Sequence, residues 1–231
     1  SFEMPGTPAF SPKRAAKLNM KKHRESERLF LAEGAVLIEE APSPPIRVFE
    51  EKELIRRVSA LKTPAGPVGV FPFLDVSATR LLSSAQRVVL LHGVQDPGNV
   101  GTAIRSAHAF GAGVALSRGS ADLYNPKTVR ATMGSIFHTP VAREIDSVQF
   151  LSEAGGAGFT LVAATPEAGD TPRSLPAGRL VICIGAEGSG LPEEVLDACE
   201  MRVGIPSLAP SLNASVAASI LLYEAYSRVL P

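Results

Sequence analysis

The chain has 231 residues, 45% of them hydrophobic, which is enough for one large or two small packed domains. Tryptophan is absent and aromatics make up 6%, so a core must be built from Val, Leu, Ile and Ala, as in an α/β sheet. With 23 basic and 23 acidic residues, bulk charge is excluded as a source of nucleic-acid affinity, leaving local patches.

Residues 1–12 contain Pro5, Pro8 and Pro12 with little periodicity and read as an arm without fixed structure. A basic segment follows over 13–28. It reads as helical and offers either a solvated face or a phosphate contact, with Lys21, Lys22 and Arg24 as the candidates for contact. The apolar run through Ile38 reads as a short helix, and Pro42, Pro44 and Pro45 then break the chain. Residues 46–49 read as a strand. Residues 50–61 read as a helix with Leu54, Ile55, Val58 and Leu61 along one side, and 63–71 as a loop and a last strand. These pieces form a small domain over 10–74, and 75–86 is expected to be a linker.

The remainder, 87–231, is organised around residues 87–110. An apolar run at 88–91 reads as a strand buried on both faces. The turn-rich Gln95-Asp96-Pro97-Gly98-Asn99 follows, then a helix from about Val100 whose apolar face carries Ile104, Ala107 and Phe110. Strand, polar loop, helix is the arrangement that places a ligand site at a strand's carboxyl end. Asn99 stands at the mouth of the helix, where capping is the ordinary role. Arg105, six residues on, is expected to reach a ligand at the strand ends. Strands at 112–116, 139–143 and 159–164 alternate with a helix at 125–133, opened by Asn125-Pro126, and one after Asp146 that runs to Ala154. Such alternation argues for a parallel sheet. A final helix over 213–230 carries Val216, Ile220, Tyr223 and Val229 at helical spacing.

Gly185-x2-Gly188-x-Gly190 follows an apolar strand. It matches neither a Walker A loop nor the Gly-x-Gly-x2-Gly dinucleotide order, but its glycines permit close backbone approach to a ligand. A side chain at Gly185 is therefore expected to press on the ligand. Ser211 and Asn213 stand where the last helix begins, and capping is one reading of both. The histidines do not cluster, and His92 reads as a packed residue rather than a base. Cys183 and Cys199 have no metal-binding or disulfide spacing, and no apolar run approaches about 18 residues. A reducing, cytoplasmic setting without a membrane span is expected.

Taken together, Asn99-x5-Arg105, the stretch LVICIGAEGSGLP over 180–192 and IPSLAPSLNASVAASILLYEAY over 205–226 form three ordered motifs. Over about 87–230 the chain resembles the SpoU/TrmH family of SPOUT-class RNA ribose 2′-O-methyltransferases. The segment RESERLFLAEGAVLIEEA is similar to the opening of that family's small substrate-binding domain. The resemblance implies an α/β fold: a parallel-sheet SPOUT domain with a deep C-terminal trefoil knot, preceded by a small α/β RNA-binding domain. It implies S-adenosylmethionine as cofactor, with Gly185, Ile205, Leu212, Ala164 and Thr165 around it. Asn99, Arg105, Glu187, Ser211 and Asn213 become the catalytic set, and Arg130 joins the candidates for RNA phosphate. A guanidinium stays protonated, so Arg105 is expected to orient the hydroxyl and bind phosphate rather than act as a base. A homodimer whose site draws on both subunits, no metal, and structured RNA (ribosomal ahead of transfer RNA) are also implied. The loop over 207–210 is shorter than the family's. Two other classes stand beside this reading. A non-catalytic RNA-binding module is opposed by the intact catalytic set, and a nucleotide-binding oxidoreductase by the missing glycine order.

Overall fold

The computed structural model describes residues 10–167 and 169–231; residues 1–9 of the expected arm lie outside that range. The chain opens with α1 (Pro12–Ala16), α2 (Lys21–Glu27), β1 (Leu29–Glu33), α3 (Ala35–Glu39), β2 (Arg47–Phe49), α4 (Lys52–Val58) and β3 (Val68–Pro72). The expected arm does not extend to residues 10–12: Phe10 is buried, and Ser11 caps α1 with Pro12 inside its first turn.

The three strands form an antiparallel sheet in the order β1-β3-β2. Its two faces follow the period of two along β1. Leu29 and Leu31 turn to a core with Phe10, Leu18, Phe49, Ile55 and Val58, while Phe30 and Ala32 turn to the larger core of the chain.

The segment expected to be a linker contains α5 (Ala78–Ser84), whose Leu81 and Leu82 are buried against the large sheet. Then follow β4 (Arg87–His92), α6 (Pro97–Ala109), β5 (Gly113–Ser117), α7 (Pro126–Ala131), β6 (Val141–Ile145), α8 (Ser147–Gly156), β7 (Thr160–Ala164), β8 (Leu180–Gly185), α9 (Glu193–Ala198), β9 (Met201–Val203) and α10 (Ala214–Ser227). β6 begins later than the expected residue 139, beyond Pro140, which has no N–H for the ladder.

The six strands are parallel in the order β6-β5-β4-β8-β7-β9. Both faces are covered, which is why residues 88–91 of β4 and 180–184 of β8 are apolar. Val89, Leu91, Ile182 and Ile184 face α6 and α10; Val88, Leu90, Val181 and Cys183 face α5, α8 and α9. Gly101 lets α6 lie directly on α7, since a Cβ there would sit 2.4 Å from that of Ala131. Among the described residues, no helix is long and apolar enough to cross a membrane.

The stripe named on the last helix is its outer side: Val216, Tyr223 and Val229 are 46, 54 and 47% exposed, while Ala218, Leu221, Leu222 and Ala225 are buried. The apolar residues run all round α10, so spacing alone could not choose the inner face. Arg24, a candidate phosphate contact, is 3% exposed and donates to Asp122 at 2.8 Å and to the Leu18 carbonyl at 3.0 Å. It is a structural ion pair. Lys21 and Lys22 remain exposed, with Lys21 3.9 Å from Glu144.

The Arg24 pair belongs to a clamp between the small sheet and the large one. Arg143 grips both Glu25 oxygens and reaches Asp75 at 3.2 Å. The Tyr124 hydroxyl donates to Asp75 at 2.6 Å and accepts the Leu74 and Asp75 N–H groups. Phe30 packs on Tyr124 with ring centres 4.9 Å apart, and Phe73 stacks on it at 4.0 Å. The hydrogen bond from Arg143 holds Glu25 below its ordinary 4.5.

Breaking a buried pair strands the other charge, so Arg24→Ala should cost about 3–5 kcal/mol, whereas Lys21→Ala, at an exposed pair, should cost under about 1 kcal/mol. Thermal unfolding of both variants checks this. Because the folded state holds Glu25 below 4.5, the unfolded chain binds the proton first. The Glu25 contact therefore contributes fully above that value and fades as pH falls through the lower, folded one, a loss that Glu25→Gln should abolish.

Candidate active site

Four loops meet at the carboxyl ends of β4, β8, β7 and β9. Parallel pairing sets His92 opposite Gly185, so the loop after β4 and the loop after β8 leave the sheet side by side. They enclose two adjoining cavities. The larger, about 700 Å³, is bounded by Ala164, Thr165, Gly185, Ile205, Ser211 and Leu212, among others. The smaller, about 440 Å³, is bounded by Gly93, Val94, Gln95, Asp96, Asn99 and Asn213. Ala186, Glu187 and Ala214 line both. All five residues expected around a cofactor thus border one cavity whose size suits a small-molecule ligand.

Helix α6 begins at Pro97, before the expected Val100, and its cap is Asp96: Asp96 Oδ2 accepts the Asn99 N–H at 3.0 Å. That frees the Asn99 side chain from capping. Its Oδ1 accepts from Asn213 Nδ2 at 2.9 Å, and its Nδ2 donates to Glu187 Oε1 at 3.4 Å. The Ala214 N–H, in the first turn of α10, donates to the same Glu187 oxygen at 3.2 Å. Asn99, Glu187 and Asn213, far apart in sequence, form one junction between the cavities. Asn213 is also the N-cap of α10; Ser211 is not, and instead faces the larger cavity.

Arg105 is not brought to this junction. Six residues turn it about 240° around α6 from Asn99, and it is exposed, lines neither cavity and has no hydrogen bond or ion pair among the described residues. The face of Asn99 is continued by Ser106, which meets Ser219 of α10 at 2.6 Å. His92 packs with Nδ1 2.7 Å from the Ser147 hydroxyl and lines neither cavity. Arg130 is half-buried and its Nη1 has no hydrogen-bond partner among the described residues.

Sequence reasoning missed Gln95 and Asp96 as walls of the smaller cavity, although the loop after a central strand was signal enough. It also missed Glu167 and Asp170 beside the larger one, for which nothing in the pattern spoke. Together with Glu187 they are the charged side chains lining that cavity; no Lys, Arg or His is among its lining residues. A wall of carboxylates fits a ligand bearing a sulfonium and an ammonium group, as S-adenosylmethionine does.

Gly185 is required by the loop itself. A Cβ there would lie 2.4 Å from the Gly190 carbonyl carbon and 2.6 Å from the Leu191 nitrogen, so it would strike the loop's own backbone. The loop folds back, with the Gly190 N–H donating to the Ala186 carbonyl at 2.9 Å and Gly190 at φ +65°. Gly185→Ala should therefore force the loop open, costing about 1–3 kcal/mol of stability as overpacking does. It should weaken S-adenosylmethionine binding at least about tenfold, equivalent to roughly 1.4 kcal/mol. Calorimetric titration and thermal unfolding check both; a variant unchanged in both would show that the loop has room there.

Residues 86–223 match the model of the SpoU rRNA Methylase family. The 23S rRNA (guanosine(2553)-2′-O)-methyltransferase RlmP of Bacillus subtilis is 33% identical over 230 residues, covering 90% of this chain and 92% of that one. An S-adenosylmethionine-bound rRNA methyltransferase from Sinorhizobium meliloti superposes with a TM-score of 0.85 at 27% identity, over 100% of this chain and 98% of the other. The SpoU methyltransferase AviRb from Streptomyces viridochromogenes, in complex with the same cofactor, gives 0.82 at 25% identity over 94 and 97%. With the family model spanning more than half its length and a relative a third identical along nearly all of it, the chain belongs to the SpoU rRNA methylase family.

Proposed function

We propose that the protein transfers a methyl group from S-adenosylmethionine to a ribose 2′-hydroxyl of structured RNA, with ribosomal RNA as the substrate. The observation that carries this reading is the pair of adjoining cavities: one bordered by Gly185, Ile205 and Leu212 for the cofactor, the other opening beside Asn99 and Asn213, with Glu187 between them. The Bacillus relative, named for 2′-O-methylation of a guanosine in 23S rRNA, supports the choice of RNA. Ribosomal RNA in turn supports a cytoplasmic location.

The bound cofactor supplies an electrophilic methyl group on a sulfonium. The chain supplies alignment, which can be worth several kcal/mol and in the best cases about 7–11 kcal/mol. Carboxylates around the larger cavity hold the cationic ligand, and the folded-back loop over 185–190 fixes its wall. Lys21, Lys22 and Arg130 remain the candidate RNA contacts, with Arg24 withdrawn to the clamp. Residues 10–74 form the RNA-binding domain and 87–231 the methyltransferase domain, and 75–86 connects them with its α5 packed on the large sheet. The C-terminal segment is threaded as a trefoil knot. Arg228 of the last helix, donating to the Pro172 carbonyl at 3.5 Å, supports a close crossing of these segments.

Arg105 joins the site by dimerisation. Val216 and Tyr223 give α10 an exposed apolar side, and Tyr223 meets Phe110, just past the end of α6, with ring centres 5.5 Å apart. A second copy docked on this α6–α10 face, in a two-fold dimer, brings each Arg105 toward the other subunit's smaller cavity. There its planar fork binds phosphate and orients the hydroxyl.

Methyl groups transferred from labelled cofactor to ribosomal RNA should be recovered, after digestion, as 2′-O-methylnucleosides; label in the bases would contradict the reading. Arg105→Ala should abolish turnover while leaving cofactor affinity near normal, and Arg105→Lys should restore RNA affinity more than rate. Mixing inactive Arg105→Ala and Asn213→Ala subunits should regain up to about a quarter of wild-type activity, since one site in each mixed dimer is intact. No recovery on mixing would place Arg105 and Asn213 in the same subunit's site.

A further inference from the structure

The amides at the junction admit one direction of hydrogen bonding. Asn213 Oδ1 accepts the N–H groups of Ser215 at 2.9 Å and Val216 at 3.2 Å, and the Ser215 hydroxyl at 2.6 Å. A backbone N–H only donates, so this end of the amide must be its oxygen. The nitrogen end therefore faces Asn99 Oδ1, at 2.9 Å. Asn99 is thereby left with its own nitrogen toward Glu187 Oε1, the atom that also takes the Ala214 N–H. Two donors thus hold one Glu187 oxygen. Glu187 Oε2 has no hydrogen bond among the described residues, and the side chain lines both cavities.

The geometry points to Asn213 as a positioning residue: through Asn99 it fixes hydrogen-bond direction and presents Glu187 Oε2 as an open acceptor for the ribose hydroxyl to be methylated. This deepens the methyltransferase reading and rests on it. A hydroxyl that gives its hydrogen to Oε2 keeps a lone pair free to face the methyl donor, and the proton it must lose as its oxygen takes the methyl group passes to the same Oε2. The role is separate from capping. Capping uses only Asn213 Oδ1, and Asp caps as well as Asn. The direction of the relay uses Nδ2, which Asp lacks.

Asn213→Asp divides the two roles. The α10 cap survives. Asn99 is driven to turn its nitrogen to the new carboxylate and its oxygen to Glu187, which repels Glu187 from the junction. Asn213 borders the smaller cavity and is absent from the wall of the larger, so cofactor binding should be spared. Three measurements on this variant test the proposal: the thermal midpoint, S-adenosylmethionine affinity by calorimetry, and the single-turnover rate at saturating cofactor and RNA. The midpoint should match wild type and the affinity should stay within about twofold, while the rate falls roughly tenfold or more, as for one lost hydrogen bond to a charged group. Glu187→Gln, which puts a donor where Oε2 was, should lower the single-turnover rate at saturating cofactor at least as much, and it should also weaken cofactor binding because Glu187 lines the larger cavity. A wild-type rate from Asn213→Asp would overturn the proposal. So would a rate loss matched by an equal loss of cofactor affinity, which would make Asn213 a wall of the cofactor site. Failure of the wild-type protein to bind S-adenosylmethionine would overturn the underlying reading itself.

Discussion

The pairing of β4 with β8 is the constraint on which the site depends. The two strands are distant in sequence, yet their register sets Arg87 opposite Leu180 and His92 opposite Gly185. Each strand is apolar on both faces, and only a central position in a parallel sheet buries such a strand completely. Once they are neighbours, the loop after each must emerge at the same edge, and Asn99 comes within hydrogen-bonding distance of Glu187. β7 and β9 extend the same edge on the far side of β8, so Thr165 and Ile205 complete the larger cavity. The site is a consequence of sheet order: chemistry-bearing residues lie on loops, and buried Val, Leu and Ile decide which loops meet.

Charge is divided by task. The arginines best placed for strong pairing, Arg24 and Arg143, are used to lock the small sheet onto the large one. Their partners Glu25, Asp75 and Asp122 cancel them locally, and the lock fixes where Lys21 and Lys22 stand relative to the cavities. The larger cavity carries carboxylates alone among its charged lining residues. A chain with no net charge can therefore attract a cationic cofactor at one place and leave basic groups for phosphate at another, because both effects are local.

The fold was largely legible in the sequence where burial is total. The apolar run at 88–91 announced a strand buried on both faces, the apolar run before Gly185 announced another strand, and Asp146 and Asn125-Pro126 announced helix starts that the structure has. Around the sites the reading was less complete, for identifiable reasons. Asn99 resembled a cap because Asp96 lies a single turn earlier, and pattern does not say which polar residue turns back. Arg24 resembled its exposed lysine neighbours because its partner, Asp122, is distant in sequence. The contact of Gly185 with its own loop was not legible because close approach by Gly190 and Leu191 leaves no mark in a one-dimensional pattern. The spacing along α10 did not say which stripe faces inward because both sides are apolar, which is itself the mark of a surface that meets another.

We propose that Glu187 marks the boundary between donor and acceptor, with the methyl donor on the side of Gly185, Ile205 and Leu212. A crystal structure of the protein with bound S-adenosylmethionine measures this directly. Adenosine should lie against the strand ends over 164–165 and 205–212, with the methyl group directed at the junction of Glu187, Asn99 and Asn213. A methyl group directed away from that junction, or a cofactor seated in the smaller cavity beside Gln95, would contradict it.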